Sequence, residues 1–210
     1  MLQNIKTLRI KFEKTGPAVY ISHLDLARLF SRALTRAKIE LAYSEGFNPR
    51  PKIVFASAIP LGVCSLCEFA DIKTYQAQIA KDAAAFFPQG INIREIYAPA
   101  ADFKNICSTR FHIFVKPEGF GIGELKALFF CGLRIEKKNG TKINLDDYVL
   151  SMNISAQDCG YIFADAVIKT SPEAYLSPES IIKAISEKYT VGDYFIKKIE
   201  TYDKNGKVFN

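Results

Sequence analysis

Three arginines early in the chain have a spacing that suits the binding of an anion. They are Arg28, Arg32 and Arg36. Residues four apart lie on the same side of an α-helix, so the guanidinium groups would form a row about three turns long, with Asp25 beside the first two as partial compensation. The alternative is the solvent-exposed face of an ordinary amphipathic helix, and the spacing is consistent with both.

A short loop with further cations follows the arginine row. In residues 44–52 (SEGFNPRPK), one glycine and two prolines exclude a helix and predict a rigid, exposed turn. This segment and the residue before it present Tyr43, Phe47, Asn48, Arg50 and Lys52. Basic side chains beside aromatic rings that stack on bases are typical of proteins that bind single-stranded RNA. For Phe47, the alternative is an anchor that packs against the core and holds the loop down.

His23 is the residue near these cations with the chemistry of a general acid or base. With Tyr20 it gives an alternative hypothesis, a metal-independent RNA endonuclease similar by fold analogy to CRISPR RNA-processing enzymes. Cleavage needs both a base and an acid at one phosphate. A tyrosine hydroxyl is a poor base at neutral pH, and the second histidine, His112, lies in the other half of the chain. We therefore expect His23 to serve binding or local structure, and the protein to have no catalytic activity of its own.

The cysteines do not indicate a metal site or a cofactor. There are five, at irregular spacing, which does not describe a disulfide framework. Cys64 and Cys67 have the spacing of a zinc or redox pair, but no second pair and no nearby histidine completes four ligands. The sequence also contains no P-loop, GxGxxG, HExxH or GxSxG motif. Nucleotide hydrolysis, dinucleotide binding and common hydrolase chemistry therefore have no support.

The arginine row requires a helix whose start is encoded locally. Ser22 is a suitable N-cap, and Asp25, three residues later, can complete a capping box by reaching back to the Ser22 amide. The helix should therefore begin near His23. Its apolar positions recur with helical period and predict one buried face; they are Leu26, Ala27, Leu29, Phe30, Ala33, Leu34 and Ala37.

The elements of the first half follow the order βαββαβ. Residues 8–12 alternate as a strand, and 19–21 resume an extended run before the helix. The later elements are strands at 52–59 and 66–74, a helix at 76–87 and a strand at 91–97. This order is that of the ferredoxin-like unit.

The second half repeats the order more loosely after a linker at 99–102. Strands are predicted at 109–116, 133–138, 142–145, 148–155, 161–169 and 194–202, and helices at 121–130 and 180–189. Asn139-Gly140 is the strongest hairpin signal in the chain, and Ser177-Pro178 starts the last helix. We predict an α+β protein of two tandem ferredoxin-like halves, residues 1–98 and 107–210, with antiparallel sheets and helices on one face.

Composition points to an anionic partner. The 210 residues include 49% hydrophobic ones, and the formal net charge is +6. A basic balance favours nucleic acid, although a solvated basic surface is the simpler interpretation. No apolar run approaches the roughly 18 residues of a membrane span, and the beginning MLQNIKTLRIKFEK is too charged for a signal peptide. We expect a cytoplasmic protein without membrane contact.

Four segments carry a resemblance to a known family: 20–26 (YISHLDL), 32–34 (RAL), 42–44 (AYS) and 46–52 (GFNPRPK). They resemble the radical-SAM-linked protein family, whose domain occurs beside or fused to a cobalamin-binding radical-SAM enzyme. The resemblance implies an accessory module. Since this chain lacks a CxxxCxxC motif, iron–sulfur chemistry would belong to a separate partner. The family often has histidine where Arg50 stands and small or acidic residues around Cys64 and Cys67, so the resemblance does not extend to proton transfer at position 50 or to a role for those cysteines.

The leading hypothesis from the sequence is an RNA-binding accessory protein. It would hold a structured RNA, such as tRNA, for modification by the radical-SAM partner. The alternatives are the endonuclease with His23 as acid or base, and a protein-interaction module whose basic face binds an acidic partner.

Overall fold

The structure, a computed structural model, describes residues 4–79, 81–130, 132–136, 140–157 and 159–210, without the side chains of 81, 82 and 130. The chain divides into two compact units. The first comprises Met1–Phe103 with Asn210, and the second Lys104–Phe209. The protein is α+β with antiparallel strand pairing and few helices, as predicted for the fold class.

The first unit builds its sheet around two central strands. Its elements are β1 (Lys6–Lys14), α1 (His23–Arg36), β2 (Ile53–Phe55), β3 (Cys64–Thr74) and β4 (Ile91–Tyr97), with 3-10 helices at Gly16–Tyr20 and Lys81–Phe86. Strand β1 pairs with β4 and β3, and β3 also pairs with β2, always antiparallel. The strand order is therefore β4-β1-β3-β2.

Helix α1 buries its apolar stripe on one face of this sheet. Leu26, Phe30 and Leu34 belong to a buried cluster that also contains Ile10 and Phe12 of β1. The rings of Phe12 and Phe30 lie 4.8 Å apart. Full burial of such a side chain stabilises a fold by about 1.5–3 kcal/mol, so this contact fixes α1 on the sheet. The predicted buried face of the helix is confirmed.

The segment before α1 differs from the prediction. Val19 and Tyr20 are not extended but end the 3-10 helix Gly16–Tyr20. Gly16 has a φ of +52°, a left-handed conformation that glycine adopts without strain. Pro17 then lies in the first turn of this helix, where its missing amide hydrogen costs nothing. The strand prediction at 19–20 was wrong because this turn chemistry outweighed the apolar run.

Two further predictions in the first unit were too long. The predicted strand 52–59 is a strand only at Ile53–Phe55. Among the described residues of the predicted helix 76–87, the structure has a 3-10 helix at Lys81–Phe86 in place of an α-helix. The residue at its expected start bonds to a different segment of the chain, because the Gln76 side chain accepts a hydrogen bond from the amide of Glu40 at 3.3 Å.

The second unit has a four-stranded sheet and a separate hairpin. Its elements are β5 (Ile106–Glu118), α2 (Ile122–Phe130), β6 (Arg134–Glu136), β7 (Lys142–Asn144), β8 (Val149–Ala156), β9 (Ile162–Lys169), α3 (Pro178–Ser186) and β10 (Thr190–Asp203), with 3-10 helices at Phe103–Asn105, on the boundary between the units, and Leu145–Asp147. The pairings give the antiparallel order β10-β5-β9-β8, and β6 pairs with β7 as predicted. Asn139 of the predicted turn lies outside the described residues.

Strand alternation separates the two faces of the second sheet. On β5, Phe111, Ile113 and Val115 are buried, whereas His112 and Phe114 between them are only half-buried. The same alternation runs along β9. Helix α3 packs against β10 with an apolar stripe and begins at Pro178, as the Ser177-Pro178 signal predicted. Helices therefore cover one face, and the other face is partly open.

Each unit has a bidentate Arg–Asp ion pair between the two central strands of its sheet. Arg9 on β1 donates to both carboxylate oxygens of Asp71 on β3, at 2.7 and 2.9 Å. Arg110 on β5 donates in the same way to Asp165 on β9, at 2.8 and 2.6 Å. Both aspartates end the tripeptide Phe-Ala-Asp, at residues 69–71 and 163–165. This internal repeat was not recognised in the sequence.

Cys64 and Cys67 lie on β3, half-buried and buried respectively. Across the residues that the structure describes, no group of three or more His, Cys, Asp or Glu side chains could hold a metal ion. Nor does any helix within that part of the chain combine the length and apolarity that a membrane crossing requires.

The first prediction concerns the buried Arg9–Asp71 pair. Substitution Asp71→Asn should lower the free energy of unfolding by about 3 kcal/mol, because a buried guanidinium then lacks its counter-charge. The control Glu95→Gln removes an exposed carboxylate on β4 of the same unit and should change it by less than about 0.5 kcal/mol. Urea titration of both variants measures this, and equal stability of the two would contradict a structural role for the pair.

The second prediction is that Cys64 and Cys67 are dispensable because their number and spacing complete no metal site. The double substitution to alanine should lower the free energy of unfolding by only about 1 kcal/mol, since one small buried side chain is shortened. Elemental analysis of the purified wild type should find no stoichiometric zinc. Zinc that is present in the wild type and lost in the double variant would show that the two thiols bind metal.

Candidate nucleic-acid interface

The start of α1 is capped by the residues that the sequence indicated. The helix begins at His23, and the amide of Asp25 donates to the Ser22 hydroxyl oxygen at 3.1 Å. The Asp25 carboxylate completes the box differently from the prediction, because it accepts the Ser22 hydroxyl at 2.7 Å rather than the Ser22 amide. The predicted N-cap and helix start are confirmed.

The three helix arginines are exposed but have different surroundings. Arg28 forms a 3.0 Å ion pair with Asp25. The hydrogen bonds from Ser22 and then from Arg28 lower the pKa of the Asp25 carboxyl, so Asp25 stays charged at neutral pH. The guanidinium of Arg36 lies 6.0 Å from the centre of the Phe86 ring. In the described part of the chain, Arg32 makes no hydrogen bond or ion pair, so it is the most available to a phosphate of the three helix arginines.

The loop after α1 is closed at its base by backbone bonds. Tyr43 and Pro51 face each other in an antiparallel bridge. The Ser44 amide donates to the Arg50 carbonyl at 2.8 Å, and the Arg50 amide donates to the Ser44 hydroxyl oxygen at 3.0 Å. On the neighbouring strand, the amide of Lys73 donates to the carbonyl of Lys52 at 3.0 Å. The loop is thus tied to the end of β3.

The side chains at the loop tip point into solvent. Phe47 is fully exposed, which excludes the interpretation that it anchors the loop to the core. Tyr43 is also exposed, as are Asn48, Arg50 and Lys52. The loop therefore presents a phenylalanine ring and two cations on a backbone that its base holds in place.

The helix arginines and the loop belong to the same unit but do not contact each other through polar bonds. The described residues include no hydrogen bond or ion pair between the two groups, and Arg36 faces the 3-10 helix of Phe86. The connection from α1 reaches the loop through Leu41, which bridges to Thr74 at the end of β3. The structure gives two cationic elements, the arginine row and the loop, rather than one cluster.

His23 and Tyr20 lie close together in the chain at the start of α1, and both are exposed. The His23 ring packs edge-to-face on Phe55, with 5.4 Å between the centroids. Neither side chain makes a hydrogen bond within the described residues, so no acid–base pair is visible. His112 is in the second unit, half-buried, where burial lowers its pKa despite the nearby carboxylate of Asp165.

A buried lysine supports the turn before α1 and was not singled out in the sequence. Lys14 is 1% exposed, and its ammonium group donates to the Ile21 carbonyl at 2.8 Å. Burial lowers the pKa of Lys14, and the charge of the buried Glu68 opposes that shift. Glu68 accepts a 2.6 Å hydrogen bond from Ser65. Strand alternation could have found both charges, because each falls on the apolar face of its strand.

The solved structures that match this protein share little sequence identity with it. A chain of the archaeal box H/ACA sRNP Nop10-Cbf5 complex matches with 10% identity and a TM-score of 0.49 over 91% of this chain. The match spans 46% of that chain, so this protein corresponds to less than half of its length. An unknown protein from Galdieria sulphuraria matches with 10% identity and a TM-score of 0.27, over 93% of this chain and 99% of its own. These scores carry no functional argument.

Sequence comparison assigns the chain to a family. No curated protein matches it. A protein-family model matches residues 7–113, which cover α1, the loop and all four strands of the first unit. This match extends over more than half of the 210 residues. The protein therefore belongs to the family described as "Uncharacterized protein conserved in bacteria (DUF2344)".

Proposed function

We propose that the protein is an RNA-binding accessory protein that holds a structured RNA, such as tRNA, for a cobalamin-binding radical-SAM enzyme in the cytoplasm. The observation that carries the proposal is the closed loop, which presents a fully exposed Phe47 at its tip and exposed Arg50 and Lys52 where the chain returns to its base. In this proposal the chemistry belongs to the partner enzyme. The protein contributes binding and orientation.

The exposed ring of Phe47 supports a stacking role. An isolated phenylalanine ring in water gains nothing for the fold, whereas a base stacked on an aromatic side chain contributes about 1–3 kcal/mol to binding. The loop base is already fixed by the Ser44–Arg50 bonds. Little ordering entropy is therefore lost when a base binds.

The cations support phosphate binding independently of stacking. Arg32, Arg50 and Lys52 are exposed and have no ion pair within the described residues. Each cation that neutralises a phosphate releases a counterion, which makes the affinity depend on salt. The formal net charge of +6 adds a long-range attraction for any polyanion.

Strand order supports the finer fold prediction of two ferredoxin-like units. In each unit the first and third strands are central and the second and fourth are at the edges, as β4-β1-β3-β2 and β10-β5-β9-β8. The hairpin β6–β7 would be an insertion in the second unit, and a 3-10 helix would replace the second helix of the first. The repeated Phe-Ala-Asp tripeptide is consistent with such a duplication.

An apolar surface near the start of α1 supports contact with a partner protein. Tyr20 is 76% exposed and Leu24 is 70% exposed. The loop that contains Leu61, also exposed, is tied to this region because the Gly62 amide donates to the Val19 carbonyl at 3.0 Å. Exposed apolar side chains at one site favour a protein–protein contact. The same feature favours the second candidate function, a protein-interaction module without RNA.

The third prediction tests the cationic surface of the first unit. The double substitution Arg32→Glu/Arg50→Glu should weaken tRNA binding at least tenfold and reduce the slope of log affinity against log salt by about 1.5, because two phosphate contacts are lost. Fluorescence anisotropy with labelled tRNA over a series of KCl concentrations measures both quantities.

The matched control for that experiment reverses two exposed lysines of the second unit, Lys126 and Lys142, to glutamate. The change in net charge is the same, so a general loss of attraction would weaken both double variants alike. We expect the control to retain most of the salt slope. Equal slopes for the two double variants would place the phosphate contacts elsewhere.

The fourth prediction separates binding from cleavage. Wild type and His23→Ala, incubated with labelled tRNA and hairpin RNAs in excess EDTA, should both bind RNA and leave it intact, because no second acid or base is bonded to His23. Gel analysis of the products is the measurement. Discrete products from the wild type that the variant does not form would support the endonuclease instead.

A further inference from the structure

We infer that the second unit has its own RNA-binding surface, on which the face of the sheet opposite the helices stacks the bases of unpaired nucleotides. Its centre is an aromatic row, defined as Phe195, Phe114 and Phe163. These residues are direct cross-strand partners on β10, β5 and β9. The row therefore crosses three adjacent strands at one level.

The rings of the aromatic row form a continuous strip. Phe195 and Phe114 are stacked, with 4.2 Å between centroids and 13° between ring planes. Phe114 and Phe163 follow at 5.0 Å. Tyr161 extends the strip, with its ring 5.7 Å from that of Phe195. Phe195 is 47% exposed and the other two members of the row are half-buried, so ring surface is open to solvent.

The corresponding face of the sheet in the first unit is closed. In the repeated Phe-Ala-Asp tripeptide, Phe69 corresponds to Phe163, yet Phe69 is only 1% exposed. On the same side of the first sheet, the Phe103 ring lies 4.2 Å from the guanidinium of Arg9, which is fully buried. One copy of the repeat closes this face, and the other keeps its rings accessible.

Cations lie on both sides of the aromatic row. Lys116 on β5 is two residues beyond Phe114, and Lys197 on β10 is two residues beyond Phe195, so alternation puts both on the same face as the rings. Neither lysine makes a hydrogen bond or an ion pair in the described part of the chain. Both remain available to phosphates.

The nearest carboxylates are already occupied. Asp165 accepts both of its hydrogen bonds from Arg110, and those bonds lower its pKa. The two oxygens of Asp193 accept from the Tyr161 hydroxyl at 3.1 Å and from the Tyr194 amide at 2.8 Å. The charge of Asp165 is therefore compensated by Arg110, and Lys116 and Lys197 remain to attract a phosphate backbone.

Unpaired RNA fits this surface better than a duplex. Aromatic side chains on a four-stranded sheet stack two or three bases in RNA-recognition modules. Bases in a duplex have their faces covered by their neighbours and cannot stack on the row. This surface deepens the proposed function, on which it rests for the identity of the ligand, but it involves none of the residues of the first unit.

The experiment uses the full chain and a labelled single-stranded RNA of about ten nucleotides, with the same sequence as a duplex for comparison. Phe195→Leu keeps an apolar side chain and removes the π face. We expect it to weaken single-strand binding about tenfold and to leave duplex binding unchanged. Phe195→Trp should retain or increase the single-strand affinity.

A second variant keeps the test valid if Phe195→Leu alters the fold. Lys116→Glu changes an exposed side chain and should weaken single-strand binding and lower its salt slope. If both variants bind the single strand as the wild type does, the inference fails. A wild-type dimer that Phe195→Leu dissociates would assign the aromatic row to contact between two copies of the chain and would equally overturn it.

The Arg32→Glu/Arg50→Glu variant distinguishes this inference from the proposed function. If that variant loses tRNA binding and Phe195→Leu leaves single-strand binding unchanged, the cationic surface of the first unit is supported and the aromatic row is rejected. The reverse result would retain the aromatic row and remove the cationic surface of the first unit. If neither set of variants affects RNA binding, both proposals fail.

Discussion

The guanidinium of Arg9 is fully buried in the first unit. Its charge is compensated by Asp71, which lies directly opposite on β3 and accepts its hydrogen bonds. This pair constrains the register of the two central strands. A slip of one residue would turn Arg9 towards the apolar residues of α1 and leave its charge without a partner, at a cost of several kcal/mol. The same register decides where β3 ends, and the loop is tied to that end through Lys73. The position of Phe47 thus depends on the strand register that this ion pair constrains.

The second unit contains the same kind of Arg–Asp ion pair, but the pair has a different effect there. Arg110 and Asp165 form the same bidentate pair, but the arginine side chain is 40% exposed instead of buried. Because the pair is at the surface, it contributes little to stability. Its effect is to neutralise an aspartate beside the aromatic row. One arrangement therefore stabilises a closed sheet face in one unit and compensates the charge of one aspartate on an open face in the other.

The features that the sequence predicted correctly are those that depend on neighbours in the chain. The cap at Ser22, the start at His23 and the apolar stripe of α1 all follow from spacings of three and four residues. The predicted helix at 76–87 failed because Gln76 bonds to the distant Glu40, a contact that no local pattern encodes. The exposure of Phe47 and the open face around Phe114 also depend on packing, since the same residue types occupy buried positions elsewhere in the chain. The candidate residues could be found from the sequence, but not which of them face solvent.

The two proposed surfaces would respond to different properties of one RNA. The cations of the first unit, Arg32 among them, would interact with phosphates whether or not the bases are paired, and salt would weaken that interaction. The rings around Phe195 need bases with free faces, and stacking depends less on ionic strength. A folded RNA such as tRNA has helical arms and unpaired loops, so it satisfies both requirements at once. Two weak contacts on one ligand combine through effective concentration only when their spacing matches. On this basis an RNA with paired arms and unpaired loops would bind more tightly than either kind of segment alone.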